Sequence, residues 1–272
     1  LNTLSLHDAL PIYNDVLFPK GFGQGFDPSQ VVPNQFPQAF GDAPSELKII
    51  PRSEWSARIK EKNERKASLY HLRQIAANGQ QMPTLDQNGQ GYCWAYSTTR
   101  CVMYQRALMN QPYVRLSGHA VGCKVKGFVD EGGWCGLSAK FIKENGVPSI
   151  AHWPEKSMSR SNDRYEVWEN AKGNRITEDW IDVAKAVYDQ NLTVDQIATC
   201  LLLDIPVAAD FDWWSHSVCL TELVEVESGS FGFRIDNSWT DNWEDMGTSI
   251  LRGSKMVPMG AIAVRAIPAS VN

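Results

Sequence analysis

The stretch Asp86–Arg100, DQNGQGYCWAYSTTR, sets a cysteine between a Gly–Tyr pair and a tryptophan, at the start of a helical pattern. The apolar positions Trp94, Val102 and Leu108 predict a helix from about Cys93 to about Met109. A helix N-terminus directs its backbone N–H groups at Cys93 and lowers the pKa of a thiol there. Gly91, just ahead, lets the backbone turn tightly and approach a bound chain. Four roles are open to Cys93: core thiol, disulfide half, metal ligand or nucleophile. Taken alone, a cysteine in this setting is more often a buried structural thiol.

A nucleophilic thiolate also needs an imidazole to hold it and a group to orient that imidazole. The segment Trp214–Trp239, WSHSVCLTELVEVESGSFGFRIDNSW, offers both. Its alternation predicts two strands joined at Ser228–Gly229–Ser230, with His216 opening the first and Asn237 ending the second. An antiparallel hairpin brings those two ends together. Asn237 can then accept a hydrogen bond from one ring nitrogen and fix the tautomer that faces Cys93. Trp239, two residues on, can cover that bond.

The rest of the chain bounds the possibilities. Its 272 residues suffice for one large domain or two lobes sharing a core. With 43% hydrophobic and 21% charged residues it is too apolar for disorder. A net charge of -5 gives no electrostatic case for nucleic acid, and the run Arg58–Lys66 mixes both signs as a solvated helix face does. The longest apolar run, CLLLDIPVAA, is interrupted by Asp204 and Pro206 and falls far short of a membrane span. The six cysteines (Cys93, Cys101, Cys123, Cys135, Cys200 and Cys219) show no CxxC pair and no zinc-type spacing, so no metal and no cofactor are expected.

Thr3–Ile12, TLSLHDALPI, resembles a translated sequencing adapter, so residues 1–12 are set aside as an artefact. Residues 13–50, rich in Pro, Gly, Phe and Gln, read as an extended arm, and 51–272 as the folded domain. FGQGF within the arm lacks the glycine spacing of a phosphate loop. Ser53 is expected to cap one helix from Glu54 to Ala76. Short helices follow Ser117 and cover Leu137–Glu144, the latter closed by Gly146. Helical signals recur over Glu178–Tyr188 and from Val194, where Thr193 and Gln196 have capping-box spacing. Beyond Leu203 the texture is that of strands: IPVAADF, the hairpin, TSILRG and AIAVRAI.

At this point the chain resembles the papain-like cysteine peptidases, over about Pro51–Ile267. QNGQGYCWAYS resembles the nucleophile segment, RLS with Ser117 the next helix start, and DEGGW the double-glycine loop. SHSV resembles the histidine segment, and NSWTDNWEDMGTSILRG the asparagine segment. Cys93 and His216 stand 123 residues apart, slightly under the roughly 130–150 of the cathepsin pattern.

The resemblance implies an α+β, two-lobed papain-like fold. A mainly helical lobe (about 80–155) would face a β-barrel-like lobe (about 156–272) across the cleft. Cys93 would be the nucleophile, His216 the base and then acid, and Asn237 the orienter. Gln87, six residues before Cys93, would share the oxyanion hole with the Cys93 N–H, Gln90 being a competitor one turn too close. Gly132 and Gly133 would pair with an extended substrate on the non-primed side, Trp134 and Cys135 would edge the P2 pocket, and Trp239 would be the shielding indole.

Three departures stand out. Gln90 occupies the family's usual disulfide cysteine, which makes a reducing, cytoplasmic setting easier to accept. Tyr92 replaces a small residue and is expected to reshape the cleft. The segment before Trp55 is short for a folded inhibitory prosegment, leaving inhibition by residues 13–50 open.

Other residues carry blander readings. His119, His71 and His152 are structural or surface side chains, and Cys101 is core. Cys123 and Cys135 either pair or stay free. Trp213–Trp214 packs between lobes, and the NLT at Asn191 fits a glycosylation acceptor, a pattern also common by chance. The expected reaction is peptide-bond hydrolysis through a thioester, with a peptide or protein partner and neither nucleic acid nor membrane. A catalytically weak peptide-binding module and an acyl-transferring variant are the alternatives.

Overall fold

The computed structural model describes residues 23–30, 47–176, 181–182 and 190–265. The adapter-like stretch and most of the arm lie outside them. Among the described residues six α-helices come before the sheet: α1 (Arg52–Arg65), α2 (Leu69–Ile75), α3 (Cys93–Leu108), α4 (Gly118–Val125), α5 (Cys135–Asn145) and α6 (Tyr165–Ala171). Then come β1 (Ile181–Asp182), α7 (Gln190–Leu202), β2 (Val207–Phe211), β3 (His216–Glu227), β4 (Ser230–Asp236), β5 (Thr248–Arg252) and β6 (Gly260–Ala263). The strands form one antiparallel sheet in the order β1-β6-β2-β3-β4-β5. Among the described residues it does not close: β1 and β5 are its edges, so the lobe expected to be barrel-like is an open six-stranded sheet there.

Side chains alternate across the sheet and divide the apolar residues into two cores. Ala208, Cys219 and Ile262 face the helical lobe, where they join Trp94, Val102, Tyr104, Ile142 and Trp153. Ala209, Phe211, Val218 and Leu220 face the other way, onto Trp55 and Ile59 of α1 and Ile197 and Leu201 of α7. α3 runs between helices and sheet, and every residue from Cys93 to Arg106 is buried. Its polar side chains are matched in place: Arg100 Nε and Tyr104 OH donate to Asp236 Oδ2 at 2.7 and 2.6 Å, and Gln105 Nε2 to the Val264 carbonyl at 2.7 Å. A helix so enclosed is a rigid base for whatever its first residue does.

Several expected boundaries move. The 54–76 helix is two helices, because Lys66 takes a left-handed φ of 50° and closes α1, and the Ser68 side chain then caps α2 by accepting from the His71 N–H. Pro51, not Ser53, precedes α1. Ile181–Asp182 is a strand on β6 rather than part of a helix over 178–188, the rest of which lies outside the described residues. Thr193 and Gln196 sit inside α7, which starts three residues before the expected capping box. The hairpin turn falls where expected, with Gly229 at φ 74°. Trp214 packs in the sheet's own core beside Trp239 and Trp243, not between lobes.

Candidate active site

The start of α3 meets the start of β3. The Cys93 thiol is wholly buried beside Ser217 and the Gly25 backbone N–H. Ser217 follows His216, so the elements carrying the expected nucleophile and base abut. His216 Nε2 lies 2.8 Å from Asn237 Oδ1. The Ser238 N–H also donates to that oxygen at 2.8 Å, which fixes the orientation of the Asn237 amide. Nε2 therefore carries the hydrogen and Nδ1 presents a lone pair. Nδ1 is buried with no hydrogen-bond partner among the described residues. Trp239 stacks on the imidazole, its centroid 4.4 Å away and tilted 28°, and Trp214 meets it edge-on at 4.8 Å.

Gln87 spans the two lobes. Its side-chain Oε1 accepts from Ser238 Oγ at 2.6 Å, and its Nε2 donates to the Gln90 carbonyl at 2.7 Å and the Gly23 carbonyl at 2.9 Å. Gln90 is not a second candidate. Its amide nitrogen turns back to the Gln87 and Asn88 carbonyls and to His119 Nε2.

The cleft is filled by the chain itself. Gly23 O accepts from Gln87 Nε2 and, at 3.0 Å, from Trp239 Nε1. Farther along, the Gly133 N–H donates to Gly25 O at 2.8 Å, the Asp27 N–H to Gly133 O at 3.1 Å, and the Phe26 N–H to Ser215 O at 3.0 Å. Phe26 and Gly133 thus form a parallel bridge. The fit leaves no room for side chains: a Cβ on Gly25 would lie 2.1 Å from Gly91 O, and one on Gly23 2.4 Å from the Gly89 carbonyl carbon. Gly23–Phe26, the described part of the FGQGF stretch that lacks phosphate-loop spacing, threads the site.

Burial under this segment dominates the titration. It pushes the Cys93 thiol up to about 12, against the opposing influence of the Ser217 and Gly25 backbone N–H groups, and takes His216 down to about 4, against its bond to Asn237. Thiol and imidazole are both neutral while the cleft is filled.

No protein-family model matches the chain, and neither does any curated protein sequence. Solved structures do. The chain is similar to xylellain, a cysteine protease from Xylella fastidiosa, with a TM-score of 0.60 and 14% identity over 92% of this chain and 98% of that one. Procathepsin L 3 from the larval midgut of Tenebrio molitor gives 0.54 and 16% over 79% and 90%, and bromelain from Ananas comosus 0.54 and 17% over 72% and 95%. The fold is papain-like.

Within that fold the departures can be placed. Where the usual disulfide is missing, Asp130 Oδ1 accepts the Gly91 N–H at 2.7 Å and ties the loop before Cys93 to the loop before Gly132. Tyr92 does not intrude on the cleft. It turns under the loop, donates to the Val129 carbonyl at 2.7 Å and fills the space a Cβ on Gly122 would need. His119 is buried behind the same loop, bonded to Tyr96 OH and Gln90, and burial takes it down to about 4.

Gly132 and Gly133 lie against the threading segment, with Asp27 Cβ and Gly25 against the first. Trp134 is half-buried, and Cys135 is wholly buried at the start of α5. All six cysteines are free: Cys123 lies by the Ser157 carbonyl and Cys135 by Asp210, so those two do not pair. The Sγ atoms of Cys101 and Cys219 lie 3.5 Å apart. Among the described residues no cluster of His, Cys, Asp and Glu could hold a metal, and no helix is long and apolar enough to cross a membrane.

Sequence reasoning missed Asp210, Ser217 and the threading segment. Asp210 had a legible signal, an acid in the apolar strand VAADF on the same face as Ala208. The arm's signal was its pair of glycines, one residue apart.

Proposed function

We propose that the chain is a papain-like cysteine peptidase resting in a self-occluded state. The observation that carries this reading is that the cleft already binds an extended polypeptide by its main chain, at Gly133, Ser215, Gln87 and Trp239. Cys93 is the nucleophile. His216 Nδ1 takes its proton, Asn237 holds the ring, and Gln87 Nε2 with the Cys93 N–H stabilises the oxyanion. Acyl transfer to water through a thioester completes hydrolysis.

The threading segment is not itself cut, because its polarity is wrong. A substrate's acyl side pairs with Gly133 and its leaving side passes Cys93 toward Trp239. The arm runs from Trp239 toward Gly133 as residue numbers rise, and it shows Cys93 an amide N–H instead of a carbonyl carbon.

The test uses Gly25→Ala in the full chain, since a Cβ there expels the segment. Iodoacetamide at about pH 5.5 barely touches ordinary thiols near 8.5. Gly25→Ala should take one adduct, at Cys93, faster than wild type, and should cleave fluorogenic peptides. Adding His216→Ala should abolish both. Folded Gly25→Ala protein that neither cleaves peptides nor reacts at Cys93 would overturn the reading.

A further inference from the structure

We propose that Asp210 is a positioning residue that sets the acidity of the Cys93 thiol by claiming the hydroxyl proton of Ser217: ionised Asp210 restrains the nucleophile and neutral Asp210 releases it. This rests on Cys93 being the nucleophile.

Ser217 owns a single hydroxyl hydrogen. Its Oγ lies 2.5 Å from Asp210 Oδ1, and the same side chain neighbours the Cys93 sulfur. Two acidic groups therefore compete for one proton. While Asp210 is charged it takes the hydrogen in a short charge-assisted bond, and Ser217 turns a lone pair to the sulfur. A thiol can donate to that lone pair; a thiolate gains nothing from it. The carboxylate also opposes the thiolate as a like charge. When Asp210 takes up a proton from solvent it becomes a donor, the Ser217 oxygen can accept, and the hydroxyl hydrogen is free to face the sulfur.

Asp210 is held so that it cannot swing away. Oδ2 accepts the Cys135 N–H at 3.0 Å, Oδ1 accepts the Cys135 thiol at 3.0 Å, and its own carbonyl accepts the Met259 N–H at 2.8 Å. It is wholly buried, with no cationic partner among the described residues. The titratable groups facing it are Cys135 from α5 and Cys93 from α3. β3 brings Ser217, with His216 beside it, and β6 brings only the Gly260 backbone. Burial, opposed by the bonds from Ser217 and Cys135, holds its carboxyl up to about 6, so its change of state falls near neutral pH. The rival account is that Asp210 merely caps α5 through the Cys135 N–H.

The experiment measures the rate of iodoacetamide reaction at Cys93 by peptide mass spectrometry on the full chain, from pH 5 to 8. Wild type, Asp210→Asn, Ser217→Ala and the double variant are compared. Hydrogen exchange at the Phe26 amide checks that the cleft segment opens equally in all four. Asn keeps an oxygen for the Cys135 N–H, so a mere cap would leave the rate unmoved. At pH 7.5 Asp210→Asn should react about tenfold faster than wild type, one pKa unit of thiol acidity. That ratio should fall toward one at pH 5, and the gain should largely vanish in the Ser217→Ala background.

Rates within twofold of wild type at pH 7.5, or a gain undiminished without Ser217, overturn the proposal while leaving the peptidase reading intact. Absence of any Cys93 adduct in all four folded proteins moves the same comparison into the Gly25→Ala background, where absence again overturns the peptidase reading, and this one with it. Should Asp210→Asn fail to fold, Ser217→Ala decides: wild type should show extra reactivity below pH 6 that Ser217→Ala lacks, and matched pH profiles overturn the inference.

Discussion

Asp130 Oδ1 accepts the Gly91 N–H at 2.7 Å, two residues ahead of Cys93 and two ahead of Gly132. One carboxylate thus joins the loop before Cys93 to the Gly132–Gly133 segment that pairs with Gly25 and Asp27, where the family resemblance implies a disulfide. A hydrogen bond at an exposed position is a weaker tie than a covalent one. Asp130→Ala should cost about 1 kcal/mol in denaturant unfolding, with Asp130→Asn recovering part of it. In the Gly25→Ala background, Asp130→Ala should lower kcat by about three- to tenfold through looser placement of Cys93. Unchanged kcat and unfolding midpoint would show that the Tyr92–Val129 bond and packing fix the loop without Asp130.

Arg100 and Asp236 form the corresponding tie at the other end of the site. Arg100 is two helical turns along α3 from Cys93, and Asp236 is the residue before Asn237. Their 2.7 Å bond is wholly buried, with Arg73 Nε 3.2 Å from the same oxygen. The Arg100 guanidinium also caps the carbonyls of Pro83 and Met82 at 3.1 and 3.3 Å. Removing one partner strands a buried charge. Arg100→Met should cost about 3 kcal/mol or more in guanidinium unfolding, the remaining Arg73 contact keeping it at the low end. Arg100→Lys should recover only part, because an ammonium cannot reach both carbonyls and the carboxylate. A loss under 1 kcal/mol would mean Arg73 alone neutralises Asp236.

Asn237 accepts from both the His216 ring and the Ser238 backbone. Replacing it with alanine frees the ring to rotate and leaves the Ser238 N–H unpaired, while Trp239 still covers one ring face. In the Gly25→Ala background, Asn237→Ala should cut kcat by about a hundredfold, within the range assigned to positioned proton transfer. KM should move little, because no contact to bound peptide is lost. A raised KM with unchanged kcat would place Asn237 in peptide binding instead.

What was legible in the sequence is what local chemistry dictates. Cys93 opens α3, Gly229 turns the β3–β4 hairpin, and the strand ends bring His216 and Asn237 together because hairpin pairing leaves them no other place. The break at Lys66 was not legible, since the apolar spacing from Trp55 to Ile75 continues through it and only a left-handed residue ends the helix. Asp210 and the Gly23–Asp27 segment were missed for a different reason. Ser217 is Asp210's cross-strand neighbour only seven residues on, but Cys135, Gly133 and Gln87 are far away in the chain, and no periodicity encodes which buried donor meets which acceptor.

Two buried neutral histidines set the acid limit of the closed form. Burial holds both His119 and His216 down to about 4 from an ordinary 6.5. Between those values the unfolded chain binds protons that the native chain refuses, so stability is lost as pH falls from 6.5 toward 4. At 1.36 kcal/mol per pKa unit, each histidine contributes a loss of about 3 kcal/mol by pH 4. Asp210 works in the opposite sense. Its carboxyl, raised from 3.8 to about 6, takes a proton in the native state before the unfolded one does, and acidification returns about 3 kcal/mol through that window. The histidines win by about 3 kcal/mol. Guanidinium unfolding at pH 7, 5.5 and 4.5 should show this decline for the full chain. It should be steeper in Asp210→Asn, which lacks the offset, and shallower in Gly25→Ala, where water reaches His216. Stability that stays level or rises down to pH 4.5 would mean that at least one of these imidazoles is charged in the native state.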